Sequence, residues 1–311
     1  MSVGGVSEGV RSEPQDRIVF AVAMLLLATL LAPLLDSSVK YLTATLPVLM
    51  IATGRYLFQA ILLWPIVAVR HPSALWRMPD AKLQLLRSLV IVISAIFFFS
   101  ALRTTPLADV VAIFFINPFV VTALAPWVLG ERVGIWRWGA VVAGFVGVLV
   151  IIQPGFEGFG WGTGFALIAG FLFGCFVLLS RKVGSGGSPP MVAGLLTGLV
   201  GAGLFGLSLP FVWQTPTLWE VSLMALAGAF GAAVHVLFMV AYINADASRL
   251  VPFSYFELLS ASLIGFLIFG DVPDAITWLG MAIIAASGVT IAYRERRRAT
   301  RSLTAPPPVK R

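Results

Sequence analysis

Apolar residues run along this chain in ten long blocks divided by short polar turns. A bilayer core of about 30 Å is crossed by roughly 20 residues of helix. Ten blocks meet that length, at 18–37, 47–69, 83–102, 106–128, 134–152, 161–180, 190–212, 218–242, 248–269 and 274–293. The breaks carry turn chemistry, as at His71-Pro72, Arg103-Thr104-Thr105-Pro106, Gln153-Pro154-Gly155 and the Gly/Ser/Pro run from Gly184 to Pro190. The first block, Ile18 to Leu35, exceeds a signal-peptide core and reads as a retained span. The pattern predicts an all-α integral membrane protein with ten transmembrane helices.

The blocks repeat. A shift of 140 positions lays Ala101 on Ala241, Gly130-Glu131 on Gly270-Asp271 and Trp138 on Trp278. A shift of 142 lays Lys40 on Lys182 and Pro47 on Pro189. The chain therefore divides into a tail (1–17), a first half (18–153, spans 1–5), a second half (154–293, spans 6–10) and a basic tail (294–311). Five spans per half is an odd number, so the second half enters the membrane upside down. Inverted repeats of this kind place one site near the midplane and open it alternately to each side.

Composition agrees. The 311 residues are 59% hydrophobic and only 11% charged, against about 25% charged in soluble domains, and the mean hydropathy is +0.96. The net charge of +7 does not indicate nucleic acid, because the basic residues sit in turns and in the last eighteen positions. Lone Cys175 and the separated His71 and His235 give no metal or disulfide framework, and no cofactor is expected. With the N-terminus inside, Arg11, Arg17, Arg70, Arg77, Lys82, Arg132, Arg137, Arg181, Lys182, Arg249 and the cluster Arg294, Arg296, Arg297 and Arg298 are cytoplasmic, and only Lys40 and Arg103 are external. Both termini are then cytoplasmic.

Charged or polar residues inside these blocks cost roughly 2.5–3.5 kcal/mol each at a helix centre and ask for a function. Glu257 lies eight residues past Arg249, roughly 12 Å into span nine. Its repeat partner is Asn117 in span four, followed by Pro118. Asp109, Ile113 and Asn117 recur every four residues, as do Arg249, Phe253 and Glu257, so each set shares a helix face. These faces are expected to meet across a central cavity, with Ser254 and Tyr255 nearby and a backbone carbonyl freed by Pro252. The bland reading makes Glu257 a structural carboxylate tied to Arg or Tyr.

Arg55 is eight residues into span two and can pair with Glu257, Asp36 or a substrate anion. Arg87, a turn inside span three, is expected to snorkel to the cytoplasmic interface. Asp36 and Lys40, one turn apart, read as an interface pair or an outer gate. His235 is either a proton shuttle or a packing histidine. Trp residues near span ends read as interface anchors, while Phe97, Phe98, Phe99, Phe114, Phe115, Phe253, Tyr255 and Phe256 lie deeper and suit either core packing or a flat substrate. Gly144, Gly147, Gly280 and Gly288 offer close helix approach within the chain or a dimer interface at spans five and ten, and Gly194 and Gly198 do so in span seven.

These residues bring a family into view. The first-half series Pro106-Leu-Ala, Asn117-Pro118-Phe119, Leu129-Gly130-Glu131-Arg132, Trp138-Gly139 and Gly144 resembles the drug/metabolite transporter superfamily, in particular its EamA-type members. The second-half series Gly270-Asp271 and Trp278-Leu279-Gly280 does so too, and the resemblance covers about residues 18–294. The stretch from Pro252 through Tyr255 to Glu257-Leu258 looks like the branch that contains bacterial S-adenosylmethionine and riboflavin importers, as do Leu35 to Tyr41 and Leu86-Arg87-Ser88. Ser254 departs from that branch, where a basic residue is common.

The resemblance implies a secondary transporter of the bacterial inner membrane. It would move a small metabolite, of heterocyclic or nucleoside type, by alternating access with proton or cation coupling or by exchange. Glu257 would sense the proton or cation, and Asn117, Tyr255 and Arg55 would contact substrate. Ser254, Phe253, Asp109, Asp36 and His235 complete the candidate set. Its partners would be substrate and membrane lipids, as a monomer or homodimer. Export of amino acids or drugs is the alternative. An integral-membrane enzyme would need a dense polar cluster that the sequence lacks, a scaffold has no need of midplane charges, and no nucleotide-binding Gly-x-x-x-x-Gly-Lys-Ser/Thr segment is present.

Overall fold

A computed structural model describes residues 14–73, 80–130, 133–153, 160–184, 189–245 and 247–304. The expectations for the tail before Pro14, Arg77, Glu131-Arg132, Pro154-Gly155, Ser185 to Ser188 and the end after Thr304 lie outside these residues. The described elements are helical: α1 (Pro14–Leu42), α2 (Val48–Arg70), α3 (Ala81–Leu102), α4a (Leu107–Phe114), α4b (Asn117–Leu129), α5 (Ile135–Ile152), α6 (Trp161–Gly184), α7 (Pro190–Gly206), α8 (Leu218–Asn244), α9a (Ala247–Ser254), α9b (Phe256–Phe269) and α10 (Ala275–Thr304), with a short turn of helix at Leu209–Val212 after α7. Among the described residues, eight spans are long and apolar enough to cross a membrane, counting α4a–α4b and α9a–α9b as one each. The apolar parts of α7 (Pro190–Gly206) and α10 (Ala275–Thr290) are shorter and stand where the seventh and tenth spans are expected.

The packing obeys the repeat. Helix α2 packs along its own repeat mate α7, and α5 along α10. The pairing of α1 with α8 is reproduced by that of α6 with α3, and α1 against α9b by α6 against α4b. A twofold relation between the halves accounts for each of these pairs. Glycines set the closest approaches. A Cβ on Gly280 would meet the Gly147 carbonyl at 2.8 Å, and one on Gly228 would meet the Arg55 carbonyl at 2.8 Å. Gly147 and Gly280 are therefore used between α5 and α10 of one chain. Gly198 does the same against Ala60 of α2.

The sequence match of Gly130 to Gly270 has a backbone cause. Gly130 ends α4b at φ 70° and Gly270 ends α9b at φ 73°. A left-handed residue closes a helix, and glycine has no Cβ to oppose it. At the start of α8, the Thr217 hydroxyl accepts from the Glu220 N–H while Glu220 accepts from the Thr217 N–H, which satisfies two donors the helix leaves over. Helix α10 continues to Thr304, through the basic cluster expected to lie in a tail beyond residue 293.

Spans four and nine are each broken, and at equivalent places. The first break falls at Phe115-Ile116 and the second at Tyr255, which is Phe115 moved by 140. Each expected four-residue face therefore runs across a break, so Asp109 and Asn117 do not sit on one regular helix, nor do Arg249 and Glu257. The broken ends also touch where a cavity between them was expected: the Phe115 and Tyr255 rings lie 5.3 Å apart.

Candidate substrate and coupling site

Three charged side chains converge inside the bundle. Asp36 lies six residues from the end of α1, roughly 9 Å in, and Arg55 seven residues into α2, roughly 10 Å in, both measured from the same end of the bundle. Glu257 sits two residues past the break in span nine, near its middle. Asp36 is buried, and Arg55 and Glu257 are half-buried. Asp36 interacts electrostatically with Arg55, and Glu257 with Asp36. Asp36 thus stands between a guanidinium on one side and a second carboxyl group on the other.

Arg55 is held in place by its surroundings. Its guanidinium carbon lies 4.3 Å from the centre of the Tyr56 ring and 5.8 Å from that of Phe99. Gly231 of α8 leaves room for it, since a Cβ there would fall 2.9 Å from Arg55 Nη2. Its Nε–H is buried without a hydrogen-bond partner among the described residues. One helical turn on, Gln59 donates to the Gly194 carbonyl at 3.0 Å and ties α2 to α7.

The repeat mates Asn117 and Glu257 differ in what their backbones ask of them. Pro118 has no N–H, so the Phe114 carbonyl loses its helical donor. The Asn117 side-chain amide donates to that carbonyl at 2.9 Å. In the second half the residue after Glu257 is Leu258, whose N–H reaches the Tyr255 carbonyl at 3.1 Å. Asn117 is committed to closing a proline break, and Glu257 has no such duty.

Other candidates lie elsewhere. Asp109 belongs to a polar cluster at the end of the bundle that holds Lys40, where it interacts with Asp274, Asp271 and Lys40 and hydrogen bonds to Thr277. The expected Asp36–Lys40 pair is not formed: Asp36 turns inward, and Lys40 Nζ binds Asp271 at 2.6 Å and stands 4.8 Å from the centre of the Phe269 ring. Phe253 is exposed, in line with exposed Phe256, Leu259 and Leu263 on a lipid-type face, and Ser254 turns back to donate to the Val251 carbonyl. His235 Nε2 lies 3.2 Å from the Pro190 carbonyl, at the opposite end from Lys40, within electrostatic reach of Arg55 and Arg87.

Comparison with known proteins decides the family. The EamA-like transporter family model matches twice, over residues 19–153 and 160–293. The chain belongs to the EamA-like transporter family. It is 32% identical over 199 residues to a riboflavin transporter of Rhizobium johnstonii, a match that covers 64% of this chain and 66% of that protein. It is 26% identical to an S-adenosylmethionine uptake transporter of Rickettsia bellii, over 86% of this chain and 91% of that one. A crystal structure with 17% identity superposes with a TM-score of 0.65 over 91% of this chain and 98% of its own, which establishes likeness of fold.

This EamA-family protein is therefore a multi-span membrane transporter of small metabolites and not an enzyme. Sequence reasoning missed part of its interior. Arg87 does not snorkel; it is 5% exposed, with its guanidinium carbon 5.6 Å from the centre of the Phe176 ring on α6. Buried Ser88 faces Thr197 of α7 at 3.4 Å, and buried Ser94 donates to the Ala169 carbonyl of α6. The signal for these was their spacing along α3, where 87, 88 and 94 alternate with exposed 85 and 86.

Proposed function

We propose that this protein is a secondary active transporter of the bacterial inner membrane, working by alternating access, with Glu257 and Asp36 exchanging a proton or cation as substrate binds beside Arg55. The observation that carries this reading is the set Asp36, Arg55 and Glu257, two acids and one base drawn from α1, α2 and the broken span nine into the interior of two interlocked repeats. Charges at such depth are expensive unless they serve a pathway. Helices broken at the midplane are a recurrent way to build a site in repeat transporters.

The basic end of the bundle, with Arg17, Arg70, Arg181 and Lys182 exposed, then faces the cytoplasm. The Lys40–Asp271 pair closes the outer end. Substrates of heterocyclic or nucleoside type fit the relatives, whose riboflavin and S-adenosylmethionine both carry fused heterocycles. Purified protein in proteoliposomes should accumulate at least one of these two radiolabelled solutes, and unlabelled solute trapped inside should accelerate the uptake. Equal retention by loaded and protein-free vesicles for both, with and without a proton gradient, would overturn the substrate class.

A further inference from the structure

Arg87 is a buried cation that the site above leaves unused. It lies six residues into α3, roughly 9 Å from the basic end. A long side chain at that depth ordinarily reaches back toward water. Here the guanidinium instead turns inward to Phe176, eight residues before the end of α6, and comes within electrostatic reach of His235. Its Nε and Nη2 are buried without hydrogen-bond partners, and among the described residues no carboxylate forms an ion pair with it. A buried charge without a counter-charge is strongly unfavourable, and a guanidinium matches the two oxygens of a carboxylate or phosphate.

A route leads to it. The rings of Phe98, Phe114, Phe173 and Phe176 follow one another at 4.9, 4.9 and 5.6 Å between centroids, from the break in span four along α6 to the Arg87 guanidinium. Phe98 is buried and the other three rings are half-buried; such a series accepts a planar body, and a guanidinium at its end accepts an anionic group attached to it.

We propose that Arg87 is a binding site for the carboxylate or phosphate of the transported solute. This rests on the transporter reading for its solute, though anion binding itself does not require turnover. The same chemistry is offered by a lipid headgroup, which the assay separates. Full-length protein in nanodiscs of zwitterionic lipid is unfolded by heat while inorganic phosphate is titrated at constant ionic strength. Adenosine 5′-monophosphate and adenosine are then compared as a pair that differs by one phosphate.

Phosphate should raise Tm in the wild type and in the exposed-arginine control Arg181→Gln, and not in Arg87→Gln. Adenosine 5′-monophosphate should bind at least tenfold more tightly than adenosine, and Arg87→Gln should erase the difference. Arg87→Met, which removes a buried uncompensated charge, should raise Tm in the absence of anion and abolish the phosphate response; a purely structural arginine would lower Tm instead. The proposal is overturned if phosphate has no effect, if Arg87→Gln keeps the response, or if the response appears only when anionic lipid is added. A phosphate response that survives in protein unable to transport any solute would leave the anion site standing and remove the transporter reading.

Discussion

Phe115 and Tyr255, mates across the 140-residue repeat, stack on each other with ring centroids 5.3 Å apart and planes inclined by 37°. The residues that interrupt spans four and nine are thus each other's neighbours, so the twofold relation passes through this contact. Gly288 of α10 completes it, since a Cβ there would overlap the Tyr255 hydroxyl and ring. Gly288→Ala should therefore displace Tyr255 and lower Tm. Tyr255→Phe should not relieve it, because ring carbons clash as well, whereas Tyr255→Ala should. Thermal unfolding of the single and double variants in detergent checks this.

Asn117 gives a sharper test of the break. Asn117→Ala leaves the Phe114 carbonyl without its side-chain donor and should cost about 1–3 kcal/mol. Pro118→Ala restores a backbone N–H that can reach the same carbonyl. The double variant Asn117→Ala/Pro118→Ala should recover most of the loss in denaturant unfolding. If Asn117 acted mainly on substrate, stability would hardly change and the second substitution would rescue nothing.

The Lys40–Asp271 pair is partly exposed, with side chains 17% and 30% accessible, so its removal should cost at most about 1 kcal/mol. As a latch of the outer end it should matter more for rate than for stability. Lys40→Ala should leave Tm within a degree or two and change uptake several-fold, and Lys40→Asp/Asp271→Lys should restore the rate. Rate measurements on both variants and the wild type in proteoliposomes decide it.

Asp274 offers a pH-dependent check outside the spanning segments. Its carboxylate accepts from the Thr277 N–H at 2.6 Å and from the Gln153 amide at 3.1 Å. The Thr277 backbone bond, with smaller help from Thr277 and Gln153 side chains, holds its pKa below the ordinary 3.8. A lowered folded pKa contributes stability above the unfolded value and loses it as pH falls through the folded one. Asp274→Ala should cost about 1 kcal/mol near neutrality, and the Tm difference from wild type should shrink below pH 3.8. A difference that grows in acid would contradict the capping role.

Much of this was legible from the chain alone. Hydrophobic blocks gave the spans, and Gly130 and Gly270 marked equivalent helix ends because both need a left-handed backbone. Arg55 and Glu257 stood out as charges in apolar runs, whereas Asp36 read as half of an interface pair with Lys40. The break at Tyr255 was hidden, because Pro252 lies three residues earlier and no proline follows Glu257 as Pro118 follows Asn117. Lys40 was matched to nearby Asp36, since sequence spacing cannot reveal a partner 231 residues away. For Arg87, its position gave depth along α3 but not direction, and direction separates a snorkelling arginine from a buried one.

The transport account turns most directly on Glu257→Gln, which keeps the shape of the side chain and removes its charge. The decisive measurement is uptake by proteoliposomes under an imposed proton gradient, beside exchange without a gradient, for a solute the wild type accumulates. The account predicts that Glu257→Gln still exchanges that solute within a few-fold of the wild-type rate, yet no longer concentrates it in response to the gradient. Gradient-driven accumulation by Glu257→Gln at the wild-type level and with wild-type pH dependence would contradict it.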